Sequence, residues 1–145
     1  MIIPDINLLL YANVATFPEH DTARRWFEGA LNGDEELGVP AVSLFGFIRV
    51  VTNPRIFSPA MPVNEAVQRV ESWLAQPHVQ FLQPGPRHLE IAFDLLRRLG
   101  SAQNLTTDVQ LAALAIEHQA SLCSNDRDFA RFPGLRWANP IQNRR

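Results

Sequence analysis

Met1-Ile2-Ile3-Pro4-Asp5-Ile6-Asn7 opens the chain with a short apolar run that stops at a carboxylate. A run this short, with no polar alternation, reads as a strand buried on both faces of a parallel sheet, with Asp5 at its carboxyl end. Pro4 cannot donate a ladder hydrogen bond, and the last position of a strand is where that loss is tolerated. Residues 7–12 then read as a short helix. Further out, residues 18–32 put Ala23, Trp26, Phe27, Ala30 and Leu31 at helical spacing, with Pro18, Glu19 and Asp21 suited to the first turn and Gly33 to the exit. Residues 37–42 read as a strand weakened by Pro40, and 43–51 as a buried helix ending near Asn53-Pro54. A helix over 63–76, stopped by Pro77, leads to a strand over 79–82. A helix over 87–99 is closed by Gly100, and a polar loop precedes a helix over 107–119 with Thr107 as its N-cap. Residues 121–124 form a strand, and a last short strand falls within 133–140. Strands alternating with helices specify the α/β class with a mainly parallel sheet; with no linker or composition shift, the expectation is a single domain over 1–145.

The chain has 145 residues, 46% apolar and 19% charged, which suits a packed core and excludes a disordered or collagen-like chain. Roughly 70% of the unfolded surface can be buried at this length, so no metal or disulfide is needed merely to fold. The single cysteine, Cys123, excludes an internal disulfide and a cysteine-based zinc site. A net charge of -2 excludes a bulk basic nucleic-acid binder but leaves room for a local basic patch. All 13 basic residues are arginine. The absence of lysine excludes a GxxxxGK phosphate loop and a Schiff-base mechanism, and speaks against a phosphotransfer receiver. No apolar run approaches the roughly 18 residues of a membrane span, and Asp5 and Asn7 interrupt the apolar N-terminus where a secretory signal would be continuous. The expectation is a mature cytoplasmic protein with no membrane partner.

In open α/β sheets, ligands bind outside the carboxyl ends of the strands. Asp5 ends the first strand, Asp126 lies just past the strand over 121–124, Asp128 is two residues on, and Asp108 sits in the first turn of its helix. If the first and fourth strands are neighbours, these carboxylates converge. Two carboxylates about 4 Å apart repel by roughly 4 kcal/mol at an effective dielectric of 20. Convergence therefore calls for protonation, intruding arginines or a divalent cation, and oxygen-only ligands favour Mg²⁺ or Mn²⁺. Such an ion polarises a phosphoryl oxygen and makes water nucleophilic, so the set reads as metal-assisted phosphodiester hydrolysis. Singly, each residue also fits a plainer role: Asp108 or Asp128 as a cap, Asp126 as a turn residue.

Four stretches together carry a resemblance: Ile2-Ile3-Pro4-Asp5-Ile6-Asn7 with Leu8-Leu9, Phe47-Ile48-Arg49-Val50-Val51-Thr52, Thr107-Asp108-Val109-Gln110-Leu111-Ala112-Ala113-Leu114-Ala115, and Ser124-Asn125-Asp126-Arg127-Asp128-Phe129. In this order the chain resembles the PIN-domain family and, within it, the VapC toxins of bacterial toxin-antitoxin pairs. The resemblance implies a three-layer α/β/α fold and a Mg²⁺- or Mn²⁺-dependent endoribonuclease acting on RNA, most often transfer or ribosomal RNA. It implies Asp5, Asp108 and Asp126 as metal-binding catalytic acids, Asp128 as a fourth, more variable acid, and Asn7 and Ser124 as polar residues that orient the carboxylates. It also implies a homodimer and a cognate VapB-type antitoxin.

One position departs from the family pattern. The glutamate usual in the helix before the Phe-x-Arg stretch is replaced by Gly46. This keeps a second reading open, a weak or inactive PIN-fold module that binds RNA or protein, with Asp128 as a possible replacement acid. Arg49 reads as a phosphate clamp or, the preferred alternative, a structural ion pair. Arg127 and Arg131 are RNA-contact candidates near the acids; Arg24-Arg25, Arg97-Arg98 and Arg144-Arg145 read first as solvated faces. His20, His78, His88 and His118 show no metal-ligand spacing. Trp26, Phe27, Phe45, Phe47, Trp73 and Phe93 are expected in the core or on a dimer face rather than as a stacking platform.

Overall fold

The computed structural model describes residues 1–142. Arg144 and Arg145 lie outside the described residues. The chain order is β1 (Ile2–Pro4), α1 (Ile6–Asn13), α2 (His20–Asn32), β2 (Leu37–Pro40), α3 (Ala41–Val51), α4 (Val63–Leu74), β3 (Val79–Leu82), α5 (His88–Leu99), α6 (Thr106–Glu117), β4 (Ser121–Cys123) and β5 (Arg136–Ala138), with 3-10 turns at Gln103–Leu105 and Arg127–Arg131. The five strands are parallel, in the order β3-β2-β1-β4-β5.

This order places a topological switch point at the centre of the sheet. From β1 the chain moves outward through β2 to β3, then returns to lay β4 on the other flank of β1. Loops after β1 and β4 therefore diverge from one crevice, the position where such sheets bind ligands. Ile3 pairs with Leu122 and Pro4 with Cys123, and the Asp5 N–H continues the ladder onto the Cys123 carbonyl at 2.9 Å. The first and fourth strands are thus neighbours, as convergence of the acids requires.

Helices cover both faces, giving three layers. Alternation along the strands sends Leu37, Val39 and Cys123 to one side, against α1, α2, α3 and α4, and Ile3 and Leu122 to the other, against α5 and α6. On the first side Trp73 packs edge-on to Phe27 at 5.1 Å and lies 5.0 Å from Phe47, which joins α2, α3 and α4. α6 buries Val109, Leu111, Ala112, Ala113, Leu114 and Ala115. Its small residues let it lie close beneath the sheet. Because α6 runs back against the strand direction before β4, its N-terminus lies at the strands' carboxyl edge. Gly100, at φ 70, ends α5 in the left-handed conformation a side chain disfavours.

Three local expectations are corrected. β2 stops at Pro40, and α3 begins at Ala41 rather than at residue 43, because Pro40 is extended and acts as the N-cap. α1 begins at Ile6, because the Asp5 side chain caps it. Thr107 is not the N-cap of α6; the preceding 3-10 turn runs into the helix, and Leu105 takes the cap position without a side-chain bond. No described helix is long and apolar enough to cross a membrane.

Candidate active site

Asp5 is buried where β1 gives way to α1. Its Oδ1 accepts from the Ile6 N–H at 2.7 Å, and its Oδ2 accepts from the Ser124 hydroxyl at 2.6 Å. Ser124 follows β4 and is fully buried. Its Oγ also accepts from Asn7 Nδ2 at 3.3 Å and from the Asp126 N–H at 3.0 Å. The single hydroxyl proton and both lone pairs are thereby used. Asn7 Oδ1 meets the Asn125 N–H at 3.5 Å, and Asp126 Oδ1 accepts from the Asp128 N–H at 2.9 Å. Asp5, Asn7, Ser124 and Asp126 thus form one network across the β1–β4 seam.

Removing this hub has a definite expected effect. Ser124→Ala leaves the buried side of Asp5 without its donor and the Asp126 N–H without its acceptor. Partners that orient metal-binding carboxylates are typically worth 10–100-fold in affinity or activity, so a loss of roughly that size is expected. Titration of Mn²⁺ into wild type and variant, followed by electron paramagnetic resonance, measures it; unchanged affinity would make Ser124 a packing residue only.

Asp108 faces the same crevice from the first turn of α6. Burial, and then the charges of Asp5, Asp126 and Asp128, push its carboxyl up to about 6, with Arg131 opposing. Burial also raises Asp5; the Ser124 and Ile6 hydrogen bonds oppose this, and the Asp126 charge adds to it. The acids are therefore electrostatic neighbours, and among the described residues no ion pair involves Asp5, Asp108 or Asp126. The donor set, all oxygen, anionic and uncompensated, fits a hard divalent cation. Among the described residues, however, no three His, Cys, Asp or Glu side chains are already close enough to hold a metal ion. A cation shared by these carboxylates would require the side chains to draw in.

Asp128 lies at the edge of the group, where its charge still raises Asp108. Its side chain is exposed and lies 3.8 Å from Arg131. Arg127 is exposed on the same 3-10 turn. The ion pair preferred for Arg49 is not found among the described residues; Arg49 is exposed and lines a groove beside the acids. Phe45 departs from the expected core set at 69% exposure, because it lies two residues from the buried Phe47 and so on another face of α3. Phe93 is also exposed. Arg24 and Arg98 pair with Glu28 and Asp94 along their own helices. His20, His78 and His118 each meet a backbone carbonyl, and His88 is buried. Burial pushes the Cys123 thiol up to about 12, so it is inert near neutrality.

A side chain at Gly46 would compete with Ile6 for space. A Cβ on Gly46 would lie 2.4 Å from Ile6 Cδ1 and 2.8 Å from Ile6 Cγ1. Ile6, the residue after Asp5, occupies the space a side chain would need. Gly46→Ala is expected to cost about 1–3 kcal/mol from overpacking, less the roughly 1 kcal/mol that alanine returns through helix propensity. Adding Ile6→Ala should recover the loss; urea melts of the single and double variants test this, and additive costs would mean that the two residues do not compete for space.

Three supports carried no clear sequence signal. The Ser43 hydroxyl, buried in an apolar helix, donates to the Pro4 carbonyl at 2.9 Å and ties α3 to the end of β1. Trp137 Nε1 donates to the Ser124 carbonyl at 3.1 Å, and Asn139 Nδ2 donates to Asn125 Oδ1 at 2.9 Å, so β5 and its exit brace the loop after β4. A hydroxyl inside an apolar run was the available cue for Ser43; the other two pairs are set by tertiary placement.

Comparison with known proteins adds independent findings. The PIN domain family model matches residues 2–135. The ribonuclease VapC33 of Mycobacterium tuberculosis is 49% identical over 142 residues, covering 98% of this chain and 99% of the relative. The ribonuclease VapC37 of the same organism is 41% identical, covering 97% of each chain. Among solved structures, VapBC2 from Rickettsia felis bound to a promoter DNA fragment matches with a TM-score of 0.70 at 19% identity, covering 96% of this chain and 98% of that one. Mycobacterium tuberculosis VapC20, a Sarcin-Ricin loop cleaving toxin, matches with a TM-score of 0.68 at 18% identity, covering 94% and 99%. At these identities the structures speak for the fold.

Proposed function

The chain belongs to the PIN-domain family and to its VapC ribonucleases, and from that premise we propose that it is the toxin of a type II toxin-antitoxin pair, an endoribonuclease whose phosphodiester hydrolysis depends on Mg²⁺ or Mn²⁺ bound by Asp5, Asp108 and Asp126. The observation that carries the reading is the shared Ser124 hydroxyl, which ties Asp5 to the Asp126 backbone while Asp108 faces both from α6.

Asp5, Asp108 and Asp126 would hold the cation. When bound, it supplies positive charge to the phosphoryl oxygens and acidifies water. Ser124 and Asn7 fix the direction of Asp5 and the turn that carries Asp126. Asp128, exposed and paired with Arg131 at 3.8 Å, acts as an outer acid that adds to the charge on Asp108. Arg49 and Arg127, exposed near the acids, meet RNA phosphates. The inactive-module reading is not favoured, since the 49% identical relative is a ribonuclease and Asp5 and Asp126 both act on the charge of Asp108.

The same acidic crevice suits an arginine-bearing segment of a VapB-type antitoxin, which would neutralise it and exclude RNA. Leu89 and Phe93, exposed one turn apart on α5, offer an apolar stripe for a homodimer. The reaction belongs in the cytoplasm, where its RNA substrates are. Incubation of the protein with total RNA, transfer and ribosomal, tests the reading. Cleavage with Mg²⁺ or Mn²⁺, abolished by chelator and restored by excess metal, is expected; cleavage indifferent to chelator would refute the metal dependence, and none under any condition would refute the nuclease.

A further inference from the structure

An asparagine follows each of three neighbouring strands at the carboxyl edge of the sheet: Asn7 after β1, Asn125 after β4 and Asn139 after β5. Their hydrogen bonds run head to tail in one sense. The Ile141 N–H donates to Asn139 Oδ1 at 3.2 Å, Asn139 Nδ2 donates to Asn125 Oδ1 at 2.9 Å, and the Asn125 N–H meets Asn7 Oδ1 at 3.5 Å. Asn7 Nδ2 then donates to Ser124 Oγ at 3.3 Å, and the Ser124 hydroxyl donates to Asp5 Oδ2 at 2.6 Å. The far end of this row is anchored. Ile141 is buried in the core shared with α1, α2, α3 and α4. Asn139 turns the chain towards it through an Asx turn, its Oδ1 accepting from the residue two positions on. The peptide that carries Ser124 is held from the same side. Its N–H donates to the Ala138 carbonyl at 3.0 Å, and its carbonyl accepts from Trp137 Nε1 at 3.1 Å.

We propose that Asn139 is a positioning residue for the metal-binding acids: through Asn125 and Asn7 it fixes Ser124, and so couples the docking of the segment after β5 to the aim of Asp5 and of the turn that carries Asp126. The proposal rests on the metal-dependent ribonuclease reading and deepens it. An Asx turn alone does not call for asparagine, because a hydroxyl closes a similar turn. It would also leave Nδ2 free for water. Here Nδ2 is spent on Asn125, and both residues are half-buried. Each amide donates on one side and accepts on the other. A row of amides therefore carries direction across three strands without adding charge to a crevice that already holds Asp5, Asp108 and Asp126. A carboxylate in the row would add repulsion, and an arginine there would compete with a cation for the acids. Hydrogen bonds aligned in one sense also polarise one another, which strengthens the last donor, the Ser124 hydroxyl on Asp5.

Three variants test it. Asn139→Ala removes both bonds of the amide, Asn139→Ser keeps a hydroxyl for the turn but is too short to reach Asn125, and Asn125→Ala leaves the turn to Ile141 intact. Each is read by Mn²⁺ titration followed by electron paramagnetic resonance, by amide hydrogen exchange in chelator followed by nuclear magnetic resonance, and by melting temperature. Partners that orient metal ligands are typically worth 10–100-fold in affinity; this link lies one step further out, so a loss of about 3- to 10-fold in Mn²⁺ affinity is expected in all three. The N–H groups of Asp126 and Asp128 should exchange about 2- to 10-fold faster, the range spanned by one lost hydrogen bond. Combining Asn125→Ala with Asn139→Ala should cost little more than Asn139→Ala alone, because both break the same link. Cleavage should recover at excess Mn²⁺, which a distorted fold would not permit. Unchanged Mn²⁺ affinity and exchange in variants that cleave as wild type does would overturn the coupling and leave the nuclease standing. Faster exchange at Asp126 with weaker Mn²⁺ binding, in protein that cleaves no RNA, would support the coupling and sink the nuclease. A loss confined to the two Asn139 variants, with lower melting temperatures and with Asn125→Ala matching wild type, would assign Asn139 to anchoring of the chain and overturn the proposal.

Discussion

Asp5→Asn is expected to lower kcat/KM on transfer RNA by on the order of 10²–10⁴ while costing the metal-free protein no more than about 2 kcal/mol. A cation at a phosphoryl oxygen is worth several kcal/mol of transition-state stabilisation, and each 1.36 kcal/mol is tenfold in rate. Asparagine keeps an oxygen to accept from the Ile6 N–H at 2.7 Å, but its amide NH2 then faces the Ser124 hydroxyl, whose proton loses its acceptor. It also removes a buried charge whose carboxyl is already raised by burial and by Asp126. Loss of activity far larger than the loss of stability is the signature of a group kept for chemistry. Asp108→Asn and Asp126→Asn should behave alike, and their effects should not add, because the three acids act as a unit. Asp128→Asn should cost less than about tenfold, since its carboxylate is exposed beside Arg131. Initial rates and melting curves on the same preparations measure both halves; a parallel fall in activity and stability would assign Asp5 to structure.

The second large effect is in pH and metal. Asp108 titrates near 3.8 when unfolded and at about 6 when folded. Between those values the folded protein holds a proton that the unfolded chain has released. Stability contributed at this site therefore falls as pH rises from about 4 to about 6, and the penalty is complete above that window. The shift corresponds to about 3 kcal/mol at 1.36 kcal/mol per unit, and solvent screening of this half-exposed group reduces it to about 1–2 kcal/mol. In chelator, Asp108→Asn should then melt about 4–8 °C above wild type at neutral pH and level with it near pH 4. A divalent cation reverses the sign. It competes with the proton, so Mn²⁺ should stabilise wild type by about 2.7 kcal/mol at a hundredfold excess over its dissociation constant near pH 7.5, and far less near pH 5. Differential scanning fluorimetry across pH, with chelator or Mn²⁺, reads all four curves. A difference between wild type and variant that does not vary with pH would contradict the electrostatic account of Asp108.

The parts of the molecule legible in the sequence are those set by neighbours along the chain. Asp5 at the end of an apolar run, Gly100 after a periodic helix and the helix over Thr106–Glu117 with Asp108 in its first turn were readable because periodicity and punctuation are local. Strand order was not readable. The pairing of Ile3 with Leu122 joins residues far apart in sequence, and no local pattern encodes it. α3 shows a second limit. Its residues are apolar on nearly every face, so nothing in the pattern distinguishes the buried Phe47 from the exposed Phe45. The missing glutamate at Gly46 looked like lost function, and nothing local in the pattern shows that Ile6 reaches the space beside it. The Ser124 hub was legible as a polar residue after a strand, but its hydrogen bonds with Asp5 and Asn7 depend on β1 and β4 being adjacent.

Anomalous diffraction from crystals soaked in Mn²⁺ tests the central claim most directly, because manganese reveals its own position. A peak coordinated by carboxylate oxygens of Asp5, Asp108 and Asp126, lost in Asp5→Asn crystals, is the predicted result. Crystals of protein that cleaves RNA in Mn²⁺ but shows no peak there, or a peak held by other residues, would contradict it.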